Sequence, residues 1–335
     1  MQVPDADADW GEKSAKKNKN KSKQLSTQNQ QSTMLLSPNN VLERGLKMMD
    51  LSLVSASLAR KTSLFEKHFG STPMVLAAIF YDLTVTSIPG AVLTEKENSE
   101  KGCLMFLTAN YFLWTYPKNA EVLASRVKIC ERHARGEYLW NWIRKIRLLK
   151  EKVIFWPRIL DDPQGPVNAV SVDGTNYRRN EEKHPTLNLN TGNCSKKFAH
   201  GAIKFEVGLS VYESKCVWLN GPVRGGEHDL TLLRRGGLLK KLKPGKLAIC
   251  DRGYRSQIKE EQEKISLPNE MDLPAVNNFK SRVRLRHESF NGRLKKNNIL
   301  SNTFRHSREK QGDAVVAVAV IVQYQMDNGM PLFDA

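Results

Sequence analysis

Cysteine is scarce in this chain, and the little there is forms no pattern. The five residues, Cys103, Cys130, Cys194, Cys216 and Cys250, are odd in number and include no CxxC pair. That argues against a disulfide framework or a zinc ribbon and fits a reducing compartment. Long apolar runs are missing as well. The longest, Ala314 to Val322, falls well short of the ~20 residues a membrane-spanning helix needs and reads as a buried helix. The N-terminus is acidic and polar, with no apolar stretch ahead of a small-residue cleavage site, so no signal peptide is expected. By elimination the sequence reads as a soluble intracellular protein with no membrane partner. GxSxG, the Walker loop, HExxH and the dinucleotide fingerprint are all lacking, and GPVRGG has neither the Lys nor the helix junction of a P-loop. No internal repeat is apparent.

Acidic residues are also in short supply. Lys and Arg number 52 against 35 Asp and Glu, a net charge of +17, with a pI near 9.6. Residues 1–40 hold six Lys and four acids and so contribute only +2, which leaves +15 on the remainder. A basic folded part points to a polyanionic partner, nucleic acid above all, although basic charge also serves solubility.

At 335 residues with 40% apolar side chains, the chain can form one large or two modest domains. Residues 1–40 are Lys, Asn, Gln and Ser with almost nothing to bury, so a disordered tail is expected. Its KKNKNKSK tract, Lys16 to Lys23, suits nuclear import, phosphate contact or simple solvation. From 41 to 164 apolar residues recur at three and four residue steps, predicting a mainly helical domain. Within it, a short helix near Ala120 to Val127, a turn at Lys128 to Cys130 and a longer basic helix have the outline of a helix-turn-helix. Leu139, Trp142, Ile143, Ile146 and Leu149 form an apolar stripe on that second helix, with Arg144, Lys145 and Arg147 off it as candidate DNA contacts. A plain helical hairpin fits the same pattern.

After the Pro- and Gly-marked linker VIFWPRILDDPQGP, the period changes to that of strands, and a second domain, 165–335, is expected. Strands are predicted at Val167–Val172, Ile203–Tyr212, Lys215–Leu219 and Lys246–Cys250, with a further one suggested at Pro274–Asn277. Helices are predicted at about Asp229–Leu242, Ser256–Lys264, Arg282–Lys296 and Glu309–Asp327. Three strands in meander order followed by alternating helix and strand give an α/β fold, a mixed sheet with helices on its faces.

Two carboxylates stand out in it. Asp173 in AVSVDGTNY and Asp251 in KLAICDRGY each close an apolar strand-like run and open a glycine-containing turn, which puts a carboxylate at the mouth of a sheet. A turn-starting Asp is the ordinary alternative for each. Glu288 lies on a helix whose apolar face is Val283, Phe290 and Leu294, and it shares the opposite side with Arg284, Asn291 and Lys295. It can face a cleft there or pair with Arg284. Asp229 reads first as an N-cap, and His228 and His287 as surface or core histidines that could also position phosphate. Three acids can hold two hard cations against a phosphodiester, which needs a water or 3′-hydroxyl activated and a leaving oxygen stabilised.

The ordered set VDGTNY, GPVRGGEHD, CDRGY and RHESFNGRLK resembles the DDE transposase superfamily, specifically the PIF/Harbinger-type transposases and the nucleases derived from them, over about Val167 to Phe333. The resemblance implies an RNase H-like domain preceded by the helical segment. It also implies a metal-dependent DNA endonuclease and strand transferase of transposon origin, with Asp173, Asp251 and Glu288 binding Mg2+ or Mn2+. Asp229 matches a motif position and is a further candidate at the metal site. Arg284 and Lys295, beside Glu288, are candidates for contact with DNA. Similar proteins act in the nucleus and often use a separate Myb-like DNA-binding partner; an oligomer is left open. His287 stands where many relatives have an apolar residue, and the stretch after Asn180 is longer and more polar than expected. A domesticated, non-catalytic DNA- or protein-binding module is the competing reading, and a role on small substrates fits the charge less well.

Overall fold

The first five described helices begin where short polar side chains replace missing backbone partners. In the computed structural model, which describes residues 36–51, 55–180, 194–195 and 200–335, α1 (Pro38–Met48), α2 (Leu58–Phe69), α3 (Pro73–Val85), α4 (Glu100–Thr115) and α5 (Ala120–Val127) start after Ser37, Ser57, Thr72, Ser99 and Asn119. Each of those side chains accepts a backbone N–H from three residues on, a cap that typically stabilises by ~1 kcal/mol. The Lys16–Lys23 tract and most of the polar stretch after Asn180 lie outside the described residues.

The predicted basic helix after Lys128–Cys130 is interrupted. It forms as α6 (Glu131–Arg135) and α7 (Glu137–Leu148), because Gly136 adopts an extended backbone in which a Cβ would stand 2.7 Å from the Arg132 carbonyl oxygen. The stripe Leu139, Trp142, Ile143, Ile146 and Leu149 is buried, with Trp142 stacked on Phe80 and edge-on to Phe106. A one-turn helix α8 (Lys150–Val153) then leads to the sheet.

The strands are β1 (Asn168–Arg178), β2 (Cys194–Ser195), β3 (His200–Ser210), β4 (Cys216–Arg224), β5 (Leu247–Ile249) and β6 (Ile265–Ser266). Five of them lie in the order β4–β3–β1–β5–β6, and β2 pairs with β3. β3 is antiparallel to both β1 and β4, whereas β5 runs parallel to β1 and β6. The parallel step from β1 to β5 needs a crossover, and the chain makes it through the meander and through α9 (Asp229–Gly236) and α10 (Leu238–Lys241). One continuous helix was predicted there. Gly237, at φ 82°, breaks it, a left-handed conformation that glycine adopts without steric cost.

After α11 (Lys259–Gln262) and β6 come α12 (Pro274–Lys296), α13 (Asn298–Ser301) and α14 (Arg308–Asp327). The strand suggested at Pro274–Asn277 is instead the first turn of α12. Pro274 occupies the opening position, where its fixed φ suits a helix and its missing N–H has no partner to lose. β6 was not predicted, since two residues carry no period.

The Ala314–Val322 run of α14 is apolar all round because it is buried all round. The helix meets α7 and α3 on one side and β4 on another. Its buried amides are tied to neighbouring elements: Gln311 Nε2 donates to the Arg178 carbonyl at 3.0 Å, while its Oε1 has no hydrogen-bond partner, Gln323 Oε1 accepts from Cys216 N at 2.8 Å, and Gln325 Nε2 donates to the Gly70 carbonyl at 2.8 Å. Leu36–Ala335 make one compact unit, a mixed sheet flanked by helices that is consistent with an RNase H-like fold. No described helix is long and apolar enough to cross a membrane.

Candidate active site

β1 and β5 run side by side with Ser171 opposite Ile249. Two residues further along each line, and so on the same face of the sheet, stand Asp173 and Asp251. Neighbouring strands lie ~4.8 Å apart, so the register brings these two positions to the same part of the sheet edge, where both line one cavity. The sequence placed Asp173 at the end of its strand, and here the structure differs. β1 continues to Arg178 with Asp173 opposite Val207 of β3, because β3 still supplies partners there. It is β5 that stops, at Ile249, and the open edge lies beyond it. Asp251 leaves the sheet with its side chain accepting from Gly253 N at 2.8 Å, which caps the 3-10 turn Arg252–Tyr254.

The alternation of β1 decides which helix each residue meets. Val170 and Val172 join Ala248, Cys250 and Tyr254 in the core on one face. On the other, Ile249 packs with Val211 and Val283 of α12. α12 is fixed to β1 by two hydrogen bonds. His287 Nε2 lies 2.9 Å from the Ser171 carbonyl oxygen, and Asn291 Nδ2 donates to Asp173 Oδ2 at 3.2 Å. A carbonyl can only accept, so His287 donates from Nε2. Burial, aided by the Arg286 charge, pushes its pKa down to about 4, so the ring is a neutral core peg.

Asp173, Asp251 and Glu288 line one cavity of about 440 Å3, together with Arg284, His287, Asn291, Gly292 and Lys295 of α12. The face that α12 turns to it is the polar one, opposite the buried Val283, Phe290 and Leu294. The donors are hard oxygens, three carboxylates plus the Asn291 Oδ1, which is shielded from solvent without a hydrogen-bond partner. That chemistry fits Mg2+ or Mn2+. Among the described residues, no group of three or more His, Cys, Asp or Glu side chains converges closely enough to hold an ion. The acids therefore share a cavity without closing on one point.

Asp229 is not the N-cap that its position suggested. His228 takes that place without a side-chain cap, and Asp229 is the first residue of α9. Its carboxylate turns to the sheet because Lys204 of β3 draws it there: Nζ donates to Asp229 Oδ1 at 3.0 Å and to the Glu227 carbonyl oxygen at 2.5 Å. Two glycines make room. A Cβ on Gly174 would stand 2.4 Å from Asp229 Oδ1, and one on Gly253 would be 3.0 Å from Asp251 Oδ1 and 3.2 Å from Asp229 Oδ2. Asp229 and Asp251 thus flank the same glycine.

Behind Asp229 lies a buried acid that sequence reasoning missed. Glu206, opposite Gly174, is fully buried and accepts from Trp218 Nε1 at 2.9 Å. Burial raises its pKa to about 7, against the opposing effect of the Trp218 bond, and the nearby charge of Asp229 adds to the rise. Burial likewise lifts the Cys250 thiol and the Tyr254 hydroxyl well above their usual ranges, with Glu206 the next contributor to each. Cys250 lines the cavity but is held as a thiol, a poor nucleophile. Lys204 and Asn291 carry no sequence signal of a role of their own. The alternation of β3 and the wheel of α12 place them, but only the strand register shows what they touch.

The cations of α7 stand elsewhere. Arg144 pairs with Glu137 at 2.8 Å and Asp313 at 3.4 Å, and Arg147 with Asp313 at 3.2 Å. Lys145 pairs with Glu97 at 3.2 Å and donates to the Val92 carbonyl oxygen at 2.8 Å.

No curated protein and no solved structure matches the chain. Residues 172–323, a stretch that takes in Asp173, Lys204, Glu206, Asp229, Asp251, Glu288 and Asn291, match the model of the DDE superfamily endonuclease family.

Proposed function

We propose that this protein is a metal-dependent DNA endonuclease that cleaves phosphodiesters with Asp173, Asp251 and Glu288. The observation that carries the reading is that these three acids, from two adjacent strands and one helix, line a single cavity inside the stretch that matches the endonuclease family. Divalent cations bound there would lower the pKa of an attacking water or 3′-hydroxyl and stabilise the leaving oxygen. The protein's own part is placement. The strand register sets Asp173 beside Asp251, neutral His287 fixes α12 on β1, and Glu288 approaches from that helix. Arg284 and Lys295 at the cavity wall suit the phosphates on either side. The charge of +17 favours a DNA substrate.

Asp229, paired with Lys204 and beside Gly253 rather than in the cavity lining, belongs to this reading as a further carboxylate near Asp251. Strand transfer, a PIF/Harbinger origin, action in the nucleus and a Myb-like partner belong to the same reading and are supported by the ordered motifs. The experiment is nicking of supercoiled DNA with Mn2+ or Mg2+. Asp173→Ala, Asp251→Ala and Glu288→Ala are each expected to lower the rate by at least ~100-fold, on the scale of losing a main electrostatic group, and chelation to abolish it. Equal activity in wild type and all three variants would overturn the assignment and favour a binding module.

A further inference from the structure

We propose that Asn291 is a positioning residue, holding the Asp173 carboxylate in the orientation that a cation requires; this rests on the nuclease reading above. Asn291 follows Glu288 by three residues on α12 and so shares its face. Its Nδ2 donates to Asp173 Oδ2 at 3.2 Å, joining residues 118 apart in the chain. The torsion that turns an Asp carboxylate is broad and soft, and this bond narrows it. His287, one helical turn earlier, grips only the backbone of Ser171. Asn291 reaches the carboxylate itself.

Simple packing does not account for the amide. A space-filling residue would be apolar or would satisfy both ends of its side chain. Asn291 Oδ1 is sheltered from solvent and has no hydrogen-bond partner, and Asn291 lines the cavity. The next residue, Gly292, has nothing within 4 Å of where a Cβ would stand, so the cavity is open beside it. Neutrality matters too. A carboxylate at this position would set a second negative charge against Asp173 and offer it no N–H.

The test compares the full-length wild type with Asn291→Ala, Asn291→Asp and Asp173→Ala, following Mn2+ binding by electron paramagnetic resonance, kcat and KM for nicking, and the melting temperature. Asn291→Ala is expected to weaken Mn2+ binding by ~10–100-fold, the range for groups that orient a metal ligand. It should lower kcat with KM for DNA unchanged, and lower the melting temperature only to the extent of one lost hydrogen bond. Asn291→Asp keeps the size of the side chain but, when ionised, has no N–H to give Asp173, so it should lower kcat as Asn291→Ala does, which a space-filling role would not require. Mn2+ affinity and kcat at wild-type levels in Asn291→Ala, or a wild-type kcat in Asn291→Asp, would overturn the positioning role. If Asp173→Ala binds Mn2+ as tightly as wild type, the nuclease reading fails and takes this role with it. If only Asp173→Ala loses Mn2+, the positioning role alone fails.

Discussion

Glu206 sits fully buried in β3 with a pKa pushed up to about 7, above its ordinary 4.5. The folded protein therefore takes up a proton that the unfolded chain releases at lower pH. For a raised acid, the stabilising contribution is fully present below about 4.5 and is lost as pH rises through about 7. Glu206→Gln keeps an acceptor for Trp218 and has no proton to lose. Its stability relative to wild type should rise between those two pH values and level off above them, by at most ~3 kcal/mol from the conversion of pKa to free energy. Urea denaturation at several pH values from 4.5 to 8 measures this. A difference that is flat across that range would mean that Glu206 stays ionised in its buried place.

At the scale of elements, the approach of α9 to β1 depends on an absent side chain. A Cβ on Gly174 would press on Asp229 Oδ1 at 2.4 Å, and Asp229 is held by Lys204. Gly174→Ala must push that carboxylate aside, at a cost of ~1–3 kcal/mol, the usual range for overpacking. In an Asp229→Ala background the same substitution should cost much less, since the atom it meets is gone. Equal costs in both backgrounds would show that the glycine relieves some other contact. This pairing also marks what could be read in advance. VDGTNY and CDRGY could be seen to end near one sheet edge, and the wheel of α12 already separated Glu288, Asn291 and Lys295 from Val283 and Phe290. The length of β1 could not be read, because Gly174 looks like a turn until β3 is seen to pair across it. Nor could the aim of Asp229, which depends on a lysine 25 residues earlier in the chain. Local pattern reports faces and ends, whereas the partners of a side chain are set by register between distant strands.

Over the whole molecule, the decisive quantity is how much of the positive charge is available to a polyanion. Counting cations overstates it. Arg144 and Arg147 share Asp313 of α14, and Lys145 is mostly covered beside Glu97. These pairs tie α7 to the long buried helix and to the loop before α4, so part of the charge is already neutralised within the fold. Arg284 and Lys295 line the cavity beside the acids. If DNA lies across that cavity, the logarithm of its binding constant should fall linearly with the logarithm of salt, by ~0.9 per phosphate neutralised. Arg284→Ala and Lys295→Ala should each flatten the slope by ~1. Arg144→Ala and Arg147→Ala should flatten it less and lower the melting temperature more, because each leaves Asp313 with a single partner. Fluorescence anisotropy with duplex DNA at a series of salt concentrations, alongside thermal melts of the same four variants, separates the two groups. The reverse ranking, with the α7 variants carrying the slope, would move the DNA path from the sheet edge to α7.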